Sequence, residues 1–142
     1  MPFRSRRTNN AYKTSRHARR HDAGCAFCDP NCLQPLIEAT ELFWVIENAY
    51  PYAIFDEQGI ADHLLIVPKR HVLGISEFTS AESREFMQLV SKYDRLGYSL
   101  YARANNSKSK SVSHQHAHLM KLDGKTVKLN VTVRKPYINW WH

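Results

Sequence analysis

His63-Leu64-Leu65-Ile66-Val67-Pro68-Lys69-Arg70-His71 decides how the rest of the chain is read. Five consecutive residues rich in branched apolar side chains form a short buried strand, and Pro68 closes it because proline cannot donate to a sheet ladder. Upstream, Leu42–Ile46 and Tyr52–Phe55 are aromatic and β-branched runs that read as two further strands, and the Gln58-Gly59 region turns the chain into the third. Downstream, Phe86, Leu89, Val90, Tyr93 and Leu96 recur at helical spacing. Thr79 or Ser80 can cap that helix, Glu82 sits in its first turn, and Gly97 suits the position just past its end. Tyr98–Ala104, Ser113–Met120 and Val127–Val133 supply three more strands, and the polar loop 105–111 joins the first two. Consecutive strands with one amphipathic helix make an α+β domain, a mostly antiparallel sheet with the helix on one face.

Length and charge bound the organisation. The chain of 142 residues fits one domain. Residues 1–24 hold seven Lys and Arg against Asp22, which is +6 of a net +7, so the remaining body is nearly neutral. With few apolar residues beyond Phe3 and Tyr12, this stretch reads as a solvated, disordered tail peripheral to the chemistry, and the ordered domain as residues 25–142. An Arg-rich, acid-poor start also resembles a transit peptide, but it lacks the apolar residues for an amphipathic face. No apolar run of 18 or more residues occurs, so neither a membrane span nor a secretory leader is expected. A cytoplasmic setting follows, in which Cys25, Cys28 and Cys32 are thiols or metal ligands rather than disulfides.

Two constellations carry chemistry. On a strand, alternate side chains share a face, so His114, His116 and His118 would stand in a row with spacings of about 6.5–7 Å. Such a row can bind a metal or hold and attack a phosphate, and the triplet alone does not separate the two. The other is Cys25-Ala26-Phe27-Cys28, whose spacing lets two thiolates share one tetrahedral zinc at about 2.3 Å per bond. Two more ligands are then required, and zinc-finger spacing is absent.

Order, spacing and residue type together, from His63 to His71 and on to Ser111-Val112-Ser113-His114-Gln115-His116-Ala117-His118, resemble the histidine-triad (HIT) family over about residues 25–120. The resemblance implies a HIT-like fold, usually a homodimer, that hydrolyses or transfers nucleotides through a nucleotidyl group on the middle histidine. By that resemblance His116 is the nucleophile, His118 and His63 support it, and Ser111 contacts the phosphate or leaving group. Asn105 or Asn106 falls at the phosphate site and Asp56 near the ribose-binding acid, while Lys110, outside the family pattern, reads either as favouring a more anionic ligand or as a solvated loop charge. A subset of the superfamily implies a structural zinc held by Cys25, Cys28, His71 and His114. Gln115 departs from the pattern where an apolar residue is expected, and Lys110 stands where a glutamine commonly precedes the serine.

The expected activity is hydrolysis at the α-phosphate of a nucleotide phosphoramidate or dinucleoside polyphosphate. The alternatives are a nucleotidyltransferase or phosphorylase on the same scaffold, and a nucleic-acid-associated protein that docks through its basic tail. Tyr137, Trp140 and Trp141 read as packing or as cover for a base or a dimer partner.

Overall fold

A computed structural model describes residues 4–19, 24–29, 35–127, 130–134 and 137–141. Cys32, whose role the sequence left open, lies outside them, and so do the side chains of Tyr137, Trp140 and Trp141. Two helices and eight strands follow in the order α1 (Arg6–Arg19), β1 (Leu36–Ala39), β2 (Phe43–Glu47), β3 (Ile54–Phe55), β4 (Gln58–Pro68), α2 (Ser80–Asp94), β5 (Tyr98–Ala102), β6 (Ala117–Thr126), β7 (Asn130–Arg134) and β8 (Tyr137–Trp141). The main sheet is antiparallel, in the order β1-β2-β4-β6-β5 with β3 paired to β4. β7 and β8 form a separate hairpin. The class is α+β, as the apolar spacing predicts.

The two faces of the sheet have different contents, and period-two alternation explains how. Phe43 and Val45 on β2, Leu64 and Ile66 on β4, and Ala117 and Leu119 on β6 join Phe86, Leu89 and Tyr93 of α2 in one buried cluster. Ile46, Leu65 and Val67 alternate with them and form a second cluster with Phe27 and Trp44. His63 and His118 share the phase of this second set, so α2 covers one face and the chemistry lies on the other. Truncating a residue of the helix-side core such as Leu119, 1% exposed, costs about 2–5 kcal/mol.

α2 begins with a capping box. The Thr79 hydroxyl accepts from Glu82 N–H at 3.2 Å, and the Glu82 carboxylate accepts from Thr79 N–H at 2.7 Å. Beyond its end Gly97 has φ +85, a left-handed value that only glycine adopts without strain.

Several elements depart from the spacing-based expectation: β1 and β8 lie in stretches not read as strands, and β4 begins at Gln58, where a turn was expected. Tyr52 and Ala53 precede β3, which is limited to Ile54–Phe55 because Asp56 and Glu57, both at positive φ, turn the chain at once into β4. His114 and His116 come before the β6 ladder, which begins only at Ala117. Within the basic stretch read as a tail, Arg6–Arg19 are helical: no glycine or proline interrupts them, and the Ser5 hydroxyl accepts from Thr8 N–H at 3.2 Å as a cap. Among the described residues no helix is long and apolar enough to cross a membrane.

Candidate functional site

Strand register brings His63 of β4 and His118 of β6 together. Leu65 pairs with His118 and His63 with Met120, so the two imidazoles meet on the diagonal, His63 Nε2 3.0 Å from His118 Nδ1. His116, immediately before β6, places its ring 5.3 Å from that of His118. All three are at least nine-tenths buried. Burial pushes His63 and His116 down to about 4 and His118 further still, so all are neutral at physiological pH. For His63 the nearby Arg4 adds to the effect, partly offset by Asp62.

Neighbouring backbone groups decide which nitrogen of each ring carries the proton. The His114 carbonyl lies 2.9 Å from His116 Nδ1, and a carbonyl only accepts, so Nδ1 holds the proton and Nε2 keeps an unshared pair. Tyr52 N–H donates to His63 Nδ1 at 3.1 Å, which puts the His63 proton on Nε2 and directs it to His118 Nδ1. His118 then carries its proton on Nε2, a buried atom with no partner among the described residues. The Asn48 amide also lies 3.0 Å from His63 Nε2 through Nδ2, while its Oδ1 accepts from Tyr50 N–H. The Tyr50 bond holds the amide in place. A neutral imidazole whose Nδ1 accepts from the Tyr52 N–H carries its proton on Nε2, so the Nδ2 contact is packing between two donors and the Tyr52 donor decides the tautomer. A lone pair on His116 and a donor on His118 thus stand side by side.

His114 faces the other way from this pair in function. Its Nε2–H donates to the Pro68 carbonyl at 2.9 Å, so Nδ1 is the free nitrogen, and it lies 3.4 Å from Cys25 Sγ and 3.5 Å from Cys28 Sγ. His71 Nδ1 is 3.2 Å from Cys28 Sγ. The ligand atoms of Cys25, Cys28, His71 and His114 all lie within 4.8 Å of one another. Tetrahedral zinc with its usual bond lengths separates sulfur from nitrogen by about 3.5 Å, which these spacings match. The Pro68 carbonyl supplies the outer hydrogen bond that fixes a ligating histidine. Burial and the neighbouring Cys25 push the Cys28 thiol up, and a cation bound beside it would favour its thiolate. Phe27, between the two cysteines, packs edge-on against His114 and His116 at 6.0 and 5.2 Å.

The remaining expected residues scatter. Lys110 donates to the Leu73 carbonyl at 2.5 Å and to Gln115 Oε1 at 2.8 Å. This gives Gln115, 1% exposed, the amide partner that its polar side chain requires. Ser111, Asn105 and Asn106 are exposed on the loop before the triad, with Asn105 Cβ close above Gly74. Asp56 occupies the exposed β3–β4 turn and takes no part in the hydrogen bonds of the histidines. Sequence reading missed Tyr52, which packs against His63 and His118 at 4.9 and 5.4 Å, and the orienting Asn48. It also missed Arg4, Phe27 and Arg103. Phe27 stands inside the Cys25–Cys28 motif but is not one of its ligand types, and the other four stand in no motif, because each reaches the site through a contact between distant segments.

In fold the chain is similar to a HIT family hydrolase from Clostridium thermocellum, at 18% identity over 75% of this chain and 97% of that one, with TM-score 0.54. It is similar as well to a hypothetical protein from Leishmania major, at 21% identity over 81% of this chain and 86% of that one, with TM-score 0.56. A histidine triad nucleotide-binding protein from Candida albicans matches at 16% identity over 78% of this chain and 85% of that one, with TM-score 0.53. No protein-family model matches the sequence, and no curated protein matches it. The chain has the histidine-triad fold.

Proposed function

We propose that this chain, built on the histidine-triad fold, hydrolyses a nucleotide phosphoramidate or dinucleoside polyphosphate at its α-phosphate, with His116 as the nucleophile. The observation that carries the reading is the fixed tautomer pair. Nε2 of His116 keeps its lone pair because Nδ1–H is engaged by the His114 carbonyl, and the unpartnered Nε2–H of His118 stands beside it. The names of the structural neighbours, hydrolase and nucleotide-binding protein, agree with it.

In the first step His116 Nε2 forms a bond to the α-phosphorus and the bond to the leaving group breaks, the leaving group taking a proton directed by His118 or Ser111. The proton released when water resolves the intermediate restores the one given up. His118 Nε2–H and the Ser111 hydroxyl meet the charge that develops on oxygen. His63 holds His118 in the donating tautomer, and water then attacks phosphorus and restores neutral His116. Asn105, Asn106 and Lys110 line the loop beside the phosphate, and Asp56 is assigned to the ribose.

Cys25, Cys28, His71 and His114 would hold zinc. Bound there, the ion supplies cross-linking rather than Lewis-acid chemistry, because four protein ligands leave no open position. A domain of residues 25–142, a homodimer and a cytoplasmic setting belong to the same proposal.

Three substitutions test it. Turnover of adenosine phosphoramidate should vanish in folded His116→Asn protein and fall in His118→Ala protein, whereas His114→Ala protein should lose metal and stability. Near-wild-type turnover by folded His116→Asn protein would overturn the mechanism.

A further inference from the structure

Arg4 precedes α1 and Arg103 follows β5, yet both guanidinium groups reach the same side chain. Arg4 places Cζ 4.4 Å from the centre of the Tyr52 ring, and Arg103 Nη2 donates to the Tyr52 hydroxyl at 2.8 Å. Tyr52 is 4% exposed and packs directly on His63 and His118. The ring of Tyr101, 5.2 Å from Arg103 Cζ, lies 5.9 Å from the ring of His118. Two cations therefore stand one aromatic layer away from the reacting histidines.

Neither guanidinium belongs to an ion pair among the described residues. What orients them is neutral: for Arg4 the Tyr50 carbonyl at 2.9 Å and the Tyr12 ring at 4.2 Å, for Arg103 the Ser109 and Tyr52 hydroxyls. A guanidinium has five N–H donors, and these bonds engage one on Arg4 and two on Arg103. Like charges gathered at one tyrosine without a carboxylate repel each other, and a multiply charged anion removes that repulsion. The buried, unpartnered Nε2–H of His118 is a third donor beside the same rings.

We propose that Arg4 and Arg103 form an anion subsite beside the histidines, which receives a phosphoryl group attached beyond the α-phosphate. The N-terminal segment is then part of the binding site and not a peripheral tail. The position relative to the α-phosphate rests on the hydrolase reading above, but the subsite itself does not. The positive potential that these arginines contribute at His118 has the sign such a site needs.

Calorimetric titration of the full chain with inorganic tripolyphosphate, orthophosphate and AMP tests this. Wild-type protein should bind tripolyphosphate more tightly than orthophosphate. Arg4→Gln and Arg103→Gln should each weaken tripolyphosphate by about tenfold, the loss expected for one charge-assisted bidentate contact. Arg103→Lys should keep most of the affinity, and Arg7→Gln on the exposed face of α1 should change nothing. Should Arg103→Gln fail to fold, Arg4→Gln and Arg103→Lys carry the comparison. Undiminished tripolyphosphate binding in the folded variants, or an equal loss in Arg7→Gln, would overturn the subsite. Arginine-dependent tripolyphosphate binding without AMP binding would leave the subsite standing and count against the nucleotide reading.

Discussion

Three similar side chains in His114-Gln115-His116-Ala117-His118 have three different environments, and the backbone sets them. His114 donates its Nε2–H to the Pro68 carbonyl, His116 donates its Nδ1–H to the His114 carbonyl, and His118 accepts a hydrogen bond at Nδ1 from His63 Nε2–H. The consequence is an asymmetry that substitution can read. His118→Ala should slow turnover by about 100-fold or more, the range of a lost charge-stabilising donor, while the covalent adduct on His116 still forms. Quenched-flow measurement of adduct and product separates this from a loss of the nucleophile. At this scale the sequence made the residue types legible, and spacing paired Cys25 with Cys28, whereas His71 and His114 joined them only through the family resemblance. The tautomers were not legible, since they depend on the carbonyl of Pro68 at the end of β4, that of His114 before β6, and the Tyr52 N–H.

Among the elements, α2 and the segment after β4 are tied by one ion pair next to His71 in the chain. Arg70 bonds Glu82 through two nitrogens at 2.9 and 2.7 Å, and Glu82 at the same time caps the helix. Arg70 directly precedes His71. The guanidinium, with the cap, holds the Glu82 carboxyl at about 2, well below its ordinary 4.5. A folded-state value below the unfolded one means that the stabilisation is fully present above about pH 5 and is lost as pH falls towards 2. Because the Arg70 side chain is half-exposed, the pair and cap together contribute about 1–3 kcal/mol. Glu82→Gln, which keeps an amide oxygen for the Thr79 N–H, should therefore lower stability by only the ionic part of that amount at pH 7 and by little near pH 2, as denaturant titrations at the two values would show. An equal loss at both pH values would contradict the ionic origin. The capping box and the apolar period of α2 were readable from sequence, whereas α1 was not: its mean composition is polar, and what orients its start, Arg4 on Tyr12 and Tyr52, pairs residues far apart in the chain.

At the scale of the whole molecule, the proposed zinc site and the histidines proposed to react are two ends of one segment. His114 belongs to the first and His116 to the second, with Phe27 packed on both. Purified protein should carry about one zinc per chain, and strong chelation should lower its melting temperature by about 10 °C or more, because a structural ion is part of the folding free energy. Elemental analysis and melting curves with and without chelator check this, and negligible metal in chelator-free protein would remove the assignment. The account rests above all on His116 Nε2 as the atom that bonds to phosphorus. Rapid acid-free quenching during turnover of an adenosine phosphoramidate, followed by peptide mass spectrometry, tests it directly. The account predicts an adenylyl mass on the peptide containing His116 in wild-type and His118→Ala protein and none in His116→Asn protein. An adduct on another residue, or full turnover by a folded protein in which His116 is replaced, would contradict it.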